Sequence, residues 1–177
     1  MKNSFLNLKL ILFIVITSLI SFKAYSFEDF NFNVTEIEIL KNGNLIKGLK
    51  RGTVSSKNGI NIEADTFEYD KLSNILKASG NVKFVDEVKN YKIFSENVTY
   101  DRNKEKIITE INSKAIYENN ITIEARLFKY DKLTNILNAT GDVKVLDEIK
   151  NYKIFSDSII YNKNLEEITT KGPSNFF

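Results

Sequence analysis

The sequence has no cysteine, no histidine and no tryptophan, and a single proline, Pro173, among 177 residues. Without cysteine there is no disulfide framework, no thiol nucleophile and no acylation point for a lipoprotein anchor. Without histidine the commonest general base at neutral pH and the commonest transition-metal ligand are both missing. The paired carboxylates that remain, Asp86-Glu87 and Asp147-Glu148, stand in short connections with no glycine-rich ligand loop. They are expected to be solvated turns rather than calcium ligands or an acid pair. No catalytic residue, metal or cofactor is assigned, and the chain is not expected to be an enzyme. One proline also suits long strand ladders, because each proline removes a donor. Pro173 falls after the last predicted strand, which spans about residues 166–170.

What is present is a duplication. Residues 60–110 recur as residues 121–171, with 30 of 51 positions identical. Ile60-Asn61-Ile62-Glu63-Ala64 returns as Ile121-Thr122-Ile123-Glu124-Ala125, and Lys89–Ser95 returns unchanged as Lys150–Ser156. Repetition at a fixed period points to stacked structural units rather than to one catalytic pocket. At 42% hydrophobic and 12% aromatic residues, one domain of ordinary size can bury a real core.

A finer period lies inside each copy. Tyr69-Asp70, Tyr100-Asp101, Tyr130-Asp131 and Tyr161-Asn162 each end an apolar run and precede a short polar set such as Lys71–Asn74. These are hairpin turns, with Asp70, Asp101 and Asp131 expected to bond the turn backbone. Between the turns the pattern has period two: Leu76, Ala78, Gly80, Val82 and Phe84 alternate with Lys77, Ser79, Asn81 and Lys83. The run Ile107, Thr109, Ile111, Ser113, Ala115, Tyr117 is expected to share one face. In the strands entering the Tyr-Asp turns the phase slips, between Ala64 and Phe67 and again between Ala125 and Phe128. Such a slip predicts a strand that bends across a corner. The fold class is all-β, with rolled antiparallel sheets built from repeated hairpins.

Residues 1–26 are of another kind. Lys2 and Lys9 precede an apolar run, Leu10–Phe22, and Ala24-Tyr25-Ser26 offers small residues where a signal peptidase reads. This predicts a secretory signal over 1–26, a domain over 27–177, and a periplasmic location; an uncleaved anchor is the alternative. Removing Lys2, Lys9 and Lys23 leaves 22 basic against 23 acidic residues. The remaining lysines fall on solvent faces and in turns, where they keep a sheet soluble. No basic stripe with interleaved aromatics suggests nucleic acid.

The strand and turn Ala64-Asp65-Thr66-Phe67-Glu68-Tyr69-Asp70, followed by Ala78-Ser79-Gly80-Asn81-Val82 and later by Ala139-Thr140-Gly141-Asp142-Val143, resembles the OstA-like domain of lipopolysaccharide transport. The second copy departs from the motif at Arg126, which replaces Asp65. The resemblance covers about residues 34–171 and implies a slightly open β-jelly roll whose interior holds the acyl chains of lipid A. The implied groove comprises Ile62, Ala64, Leu76, Ala78, Val82 and Phe84 in the first copy. Its counterparts in the second are Ile123, Ala125, Leu137, Ala139, Val143 and Val145, with Ile107 and Ile111 between. Small inward residues such as Ala78 and Gly80 fit either a lipid space or a tight dry core.

The resemblance also implies partners: lipopolysaccharide, and the jelly-roll proteins LptC and LptD joined head to tail by strand augmentation at open edges, with a homo-oligomer as a further possibility. The first edge is expected near Val34–Leu40. Three readings stay open: a component bridging inner and outer membrane, the periplasmic N-terminal domain of the translocon LptD, and a structural β-repeat that binds no lipid. The signal reading makes one direct prediction. N-terminal sequencing of the exported protein begins at Phe27, and retention of Met1 at the inner membrane would establish an anchor instead.

Overall fold

The computed structural model describes residues 30–118 and 120–177; the expected signal segment, residues 1–26, lies outside them. Among the described residues thirteen strands form one antiparallel sheet. The first are β1 (Asn31–Leu40), β2 (Leu45–Ser55), β3 (Ile60–Ala64), β4 (Thr66–Asp70), β5 (Ile75–Asp86) and β6 (Tyr91–Asp101). β7 (Lys106–Glu110), β8 (Ser113–Tyr117), β9 (Ile121–Ala125) and β10 (Leu127–Asp131) follow. The last are β11 (Ile136–Asp147), β12 (Tyr152–Asn162) and β13 (Glu167–Phe176). β3 and β4 both oppose β2 on one side and β5 on the other, so they are one strand broken at Asp65. β9 and β10 break likewise at Arg126.

Those breaks are the predicted phase slips, and they recur on every strand. Next to Asp65, β5 turns through Gly80 (φ 79°) and Asn81 (φ 48°), and its register against β6 shifts between Ser79 and Val82. β11 repeats this at Gly141 (φ 84°) and Asp142 (φ 52°). The left-handed backbone suits glycine, and a Cβ on Gly80 would collide with the Asp65 side chain. The corner's polar groups are tied locally. The Asp65 N–H donates to Gly80 O at 3.0 Å and the Arg126 N–H to Gly141 O at 3.0 Å. Asn81 Nδ2 donates to Asp65 Oδ2 at 2.9 Å, while in the second copy Arg126 Nε meets Asp142 Oδ2 at 3.3 Å. The exchange of Asp65 for Arg126 is thus matched by an exchange of Asn81 for Asp142.

The turns carry the bracing expected of their aspartates. Asp70 Oδ1 accepts from the N–H groups of Leu72 and Ser73, Asp131 Oδ1 from Leu133 and Thr134, and Asp101 Oδ1 from Lys104. Four residues after Asp70, Asp101, Asp131 and Asn162 a left-handed residue closes each loop: Asn74, Glu105, Asn135 and Glu166. Successive turns are stitched together as well. The N–H groups of Lys71, Arg102, Lys132 and Lys163 donate to the carbonyls of Asn44, Asn74, Glu105 and Asn135.

Because each long strand folds over at its corner, the sheet becomes a jelly roll of two facing half-sheets. Its core runs the length of the chain, from Phe30 and Val54 to Ile159 and Tyr161. Two expectations are corrected. Ile111 does not share the inner face: it sits on the outer side of a corner, with φ 67° and 56% of its surface exposed, while Thr109 and Ser113 point in. The left-handed pair Ile111-Asn112 absorbs the bend there, and bending carries the side chain outward. The last strand also runs past residue 170 and includes Pro173. Pro173 follows Gly172 at a register shift on an edge, where a missing donor is tolerated.

Ile123 lies opposite Ala115 and Val145 in the ladder and is buried, as is Val143. An aspartate at either site buries an unpaired charge and is expected to unfold a domain holding ~5–15 kcal/mol. Lys77→Asp, on the exposed face, is expected to shift a thermal melt little; equal shifts would refute the face assignment.

Candidate functional site

The roll has an apolar middle and two polar borders. Of the groove candidates, Ile62, Ala64, Leu76, Ala78, Val82, Phe84 and Ile107 are buried in and around the first copy. Ile123, Ala125, Leu137, Ala139, Val143 and Val145 are buried in the second. Thr109 and Ser113 bond each other along the corner, and Ser95 joins Ser113 at 3.2 Å. The space between the half-sheets is filled by these side chains. A cavity of about 30 Å³ remains among Tyr91, Ile93, Tyr117, Tyr130 and Leu137, room for a water or two and not for an acyl chain.

Opposite the corner, two rows of hairpin turns meet along a seam. One row follows the Tyr-Asp steps; the other joins β5 to β6 and β11 to β12. Aromatic rings close the seam from within: Tyr91 against Tyr130 at 5.0 Å, Phe84 against Tyr100 at 5.7 Å and Tyr117 against Tyr161 at 6.1 Å. Phe30 closes the N-terminal end, 5.0 Å from Tyr69, with the Arg102 guanidinium 5.1 Å above its ring.

Charge locks the seam from without. Lys132, only 6% exposed, meets Asp86 Oδ2 at 3.3 Å and Glu105 Oε2 at 2.9 Å. Lys89 Nζ crosses the seam to the Lys132 carbonyl and to Asn135 Oδ1 at 2.9 Å. Lys163 Nζ donates to the Lys89 carbonyl at 3.0 Å and lies 4.1 Å from the Tyr117 ring centre. Burial, then the nearby Lys89 charge, lowers the Lys163 ammonium below the ordinary lysine range.

Two expectations therefore fail here. Asp86 and Asp147 are not solvated turns: they are 2% and 1% exposed. Nor does every turn lysine keep the sheet soluble, since Lys132 stands in its turn buried against two acids. The missed signal was phase. Asp86 continues the inward series Val82, Phe84; Asp147 continues Val143, Val145; and Lys132 continues Phe128, Tyr130.

Comparison with known proteins gives this geometry a family. A family model described as LptA/(LptD N-terminal domain) LPS transport protein matches residues 61–167, more than half of the chain. The chain belongs to this lipopolysaccharide-transport family. Among solved structures it is similar to LptH, the LptA-homologous periplasmic component of the lipopolysaccharide transport device of Pseudomonas aeruginosa. The TM-score is 0.58 at 15% identity, over 64% of this chain and 83% of that one, which is a likeness of fold. No curated protein sequence matches. The match bears out the LptA-like jelly roll, and the family is one of transport proteins rather than enzymes.

The seam tyrosines make this transport-family roll sensitive to alkali. Burial lifts the Tyr91, Tyr100 and Tyr130 phenols above the ordinary range, and pushes Tyr161 up to about 12. Unfolded tyrosines release their protons near pH ~10 while the folded ones keep theirs, so this contribution to stability is complete below that pH and shrinks above it. Phenolate absorbance is expected to rise together with loss of the β-sheet circular dichroism signal. Full ionisation with the sheet intact would contradict the burial of these rings.

Proposed function

We propose that this chain carries lipopolysaccharide in the periplasm, holding lipid A acyl chains between its half-sheets and passing them along a row of similar rolls from inner to outer membrane. The observation that carries this reading is the lining. Between the corner hydroxyls Ser95, Thr109, Ser113 and Ser156 and the turns, both inner faces are aliphatic or aromatic through both copies, and the buried charges Asp86, Lys132 and Asp147 stand at the turns. A carrier of acyl chains needs that division, with a dry interior for the chains and a polar border for the sugars.

The closed interior sets the route. Without lipid the half-sheets pack against each other, so chains enter by parting the seam. Along the corner the strands are covalently continuous; along the seam only side chains and a few turn bonds cross. The seam is therefore the side that yields.

The row is built at the edges. β1 presents Ile37, Ile39 and Leu40 to solvent, and the other end presents Leu165, Phe176 and Phe177. Unpaired edge strands bearing apolar side chains favour addition of a neighbouring sheet. The ends differ, so joining is head to tail and does not close on itself. LptC, LptD or a second copy would dock in this way.

A structural repeat that binds no lipid is the competing reading, and photo-crosslinking separates the two. Crosslinkers at Leu76 and at Leu137, equivalent sites in the two copies, are expected to capture lipopolysaccharide in cells, and one at exposed Lys77 is not. Capture at neither inner site in a folded protein would support the structural repeat.

A further inference from the structure

The seat around Asp147 is incomplete. In the first copy Asp86 Oδ1 caps its own turn through the Lys89 N–H, and Oδ2 receives the Lys132 ammonium. Glu105 receives the same ammonium, and Lys89 reaches the Lys132 carbonyl and Asn135. Shifted by one repeat, these three receptors become Asp147, Glu166 and Lys150, each identical in type. Asp147 Oδ1 again caps its turn, through the Ile149 and Lys150 N–H groups. Its Oδ2 is buried and has no hydrogen-bond partner. Burial, then the Asp147 charge and its approach to the phenol hydroxyl, raise Tyr152, but the hydroxyl stays outside hydrogen-bond geometry with Oδ2. Glu166 and Lys150 pair with each other at 3.1 Å. Among the described residues no cation bonds Asp147 Oδ2 as Lys132 bonds Asp86; the Lys150 ammonium feels the Asp147 charge but pairs with Glu166, and a buried carboxylate without a bonded counter-charge is costly.

A matching turn stands at the other end of the roll. The loop joining β1 to β2 runs from Lys41 to Asn44, beginning with lysine and ending with asparagine as Lys132–Asn135 does. Each turn in this row opens on a basic residue: Lys41, Lys71, Arg102, Lys132 and Lys163. From the second onward, that residue's N–H bonds the carbonyl closing the previous turn. The Glu166 carbonyl is the next acceptor in the series. Lys41 is exposed and is the next donor if another roll continues the sheet.

We propose that Asp147, Glu166 and Lys150 form a receptor for the Lys41–Asn44 turn of a second copy docked by its β1 on β13. There Lys41 takes the position that Lys132 takes within the chain, and Asn44 that of Asn135. This deepens the head-to-tail reading above and rests on it; it adds what selects the partner. Edge strands supply generic hydrogen bonds, whereas a buried acid accepts only a neighbour that brings a cation in register.

Sedimentation equilibrium of the purified protein and its variants tests this. The wild type is expected to self-associate. Asp147→Asn and Lys41→Glu are each expected to weaken association about tenfold or more. Asp147→Asn keeps the Oδ1 cap while removing the orphan charge, so its melting temperature is expected to match or exceed the wild type. Asp86→Asn, which strips a buried lysine of an acid, is expected to lower it. A mixture of Asp147→Lys and Lys41→Glu proteins is expected to associate again. Undiminished association of Asp147→Asn would overturn the receptor and leave head-to-tail joining standing. A lowered melting temperature in that variant, with no rescue in the mixture, would make Asp147 a turn brace and overturn the receptor too. Failure of the wild type to associate at any concentration, including the case where it binds only a different jelly-roll domain, would overturn joining between copies and the assignment of Lys41 with it.

Discussion

Every long strand of this protein has to turn a corner and still present apolar side chains to the same interior. A strand shows alternate residues to opposite faces, so a bend that consumes the wrong number of residues would put lysines inside. The chain meets the constraint with left-handed residues on one strand, Gly80-Asn81 or Gly141-Asp142, beside a single-residue break on the next, Asp65 or Arg126. Val82 and Phe84 beyond the corner then face the same interior as Leu76 and Ala78 before it. The polar partners at the corner follow from the same need, since a broken ladder leaves backbone and side-chain groups that must bond locally.

The seam is what the corners create. Folding each strand over brings its two ends together, and with them two rows of turns. Turns are polar, the interior they border is not, and the chain reconciles the two with aromatic rings inside and a buried ion pair at the rim. Lys132 between Asp86 and Glu105 is satisfied while the seam is closed. Parting the half-sheets exposes these charges to water, which solvates them well, so opening loses less there than it would in a purely apolar contact. A seam of this kind is held by side-chain contacts that water can replace, as the proposed uptake and release of lipid requires.

Much of this was legible in the sequence because the repeats state the rule twice. The hairpin turns, their bracing aspartates and the bends at Asp65 and Arg126 followed from pattern alone. Apart from the corner glycines Gly80 and Gly141, which face the exposed Asp65 and Arg126 side chains and not the interior, so did the inward faces except at Ile111. That residue was lost because alternation was carried straight through a corner where a left-handed pair turns the chain. The seam was not foreseen for a different reason. It depends on which turns meet across the roll, and contacts such as Lys89 with Asn135 or Lys132 with Asp86 join residues 46 apart in sequence. Period-two reasoning sees neighbours along and across strands, not the closing of the sheet upon itself. The phase of Asp86 and Asp147 did carry the signal, but a buried acid gains a meaning only once its lysine is in view.

If lipid enters by parting the seam, as proposed, a distance across the seam tests it most directly. Val88 and Leu133 stand on turns of the two rows, 77% and 72% exposed, next to Lys89 and Lys132, which bond across the seam. With no native cysteine to interfere, a Val88→Cys, Leu133→Cys double variant takes two spin labels cleanly. Double electron–electron resonance is expected to show a short, narrow distance distribution in the lipid-free protein that lengthens when lipopolysaccharide binds. An unchanged distribution in a sample with bound lipopolysaccharide would mean that the lipid sits outside the roll, and would contradict the account.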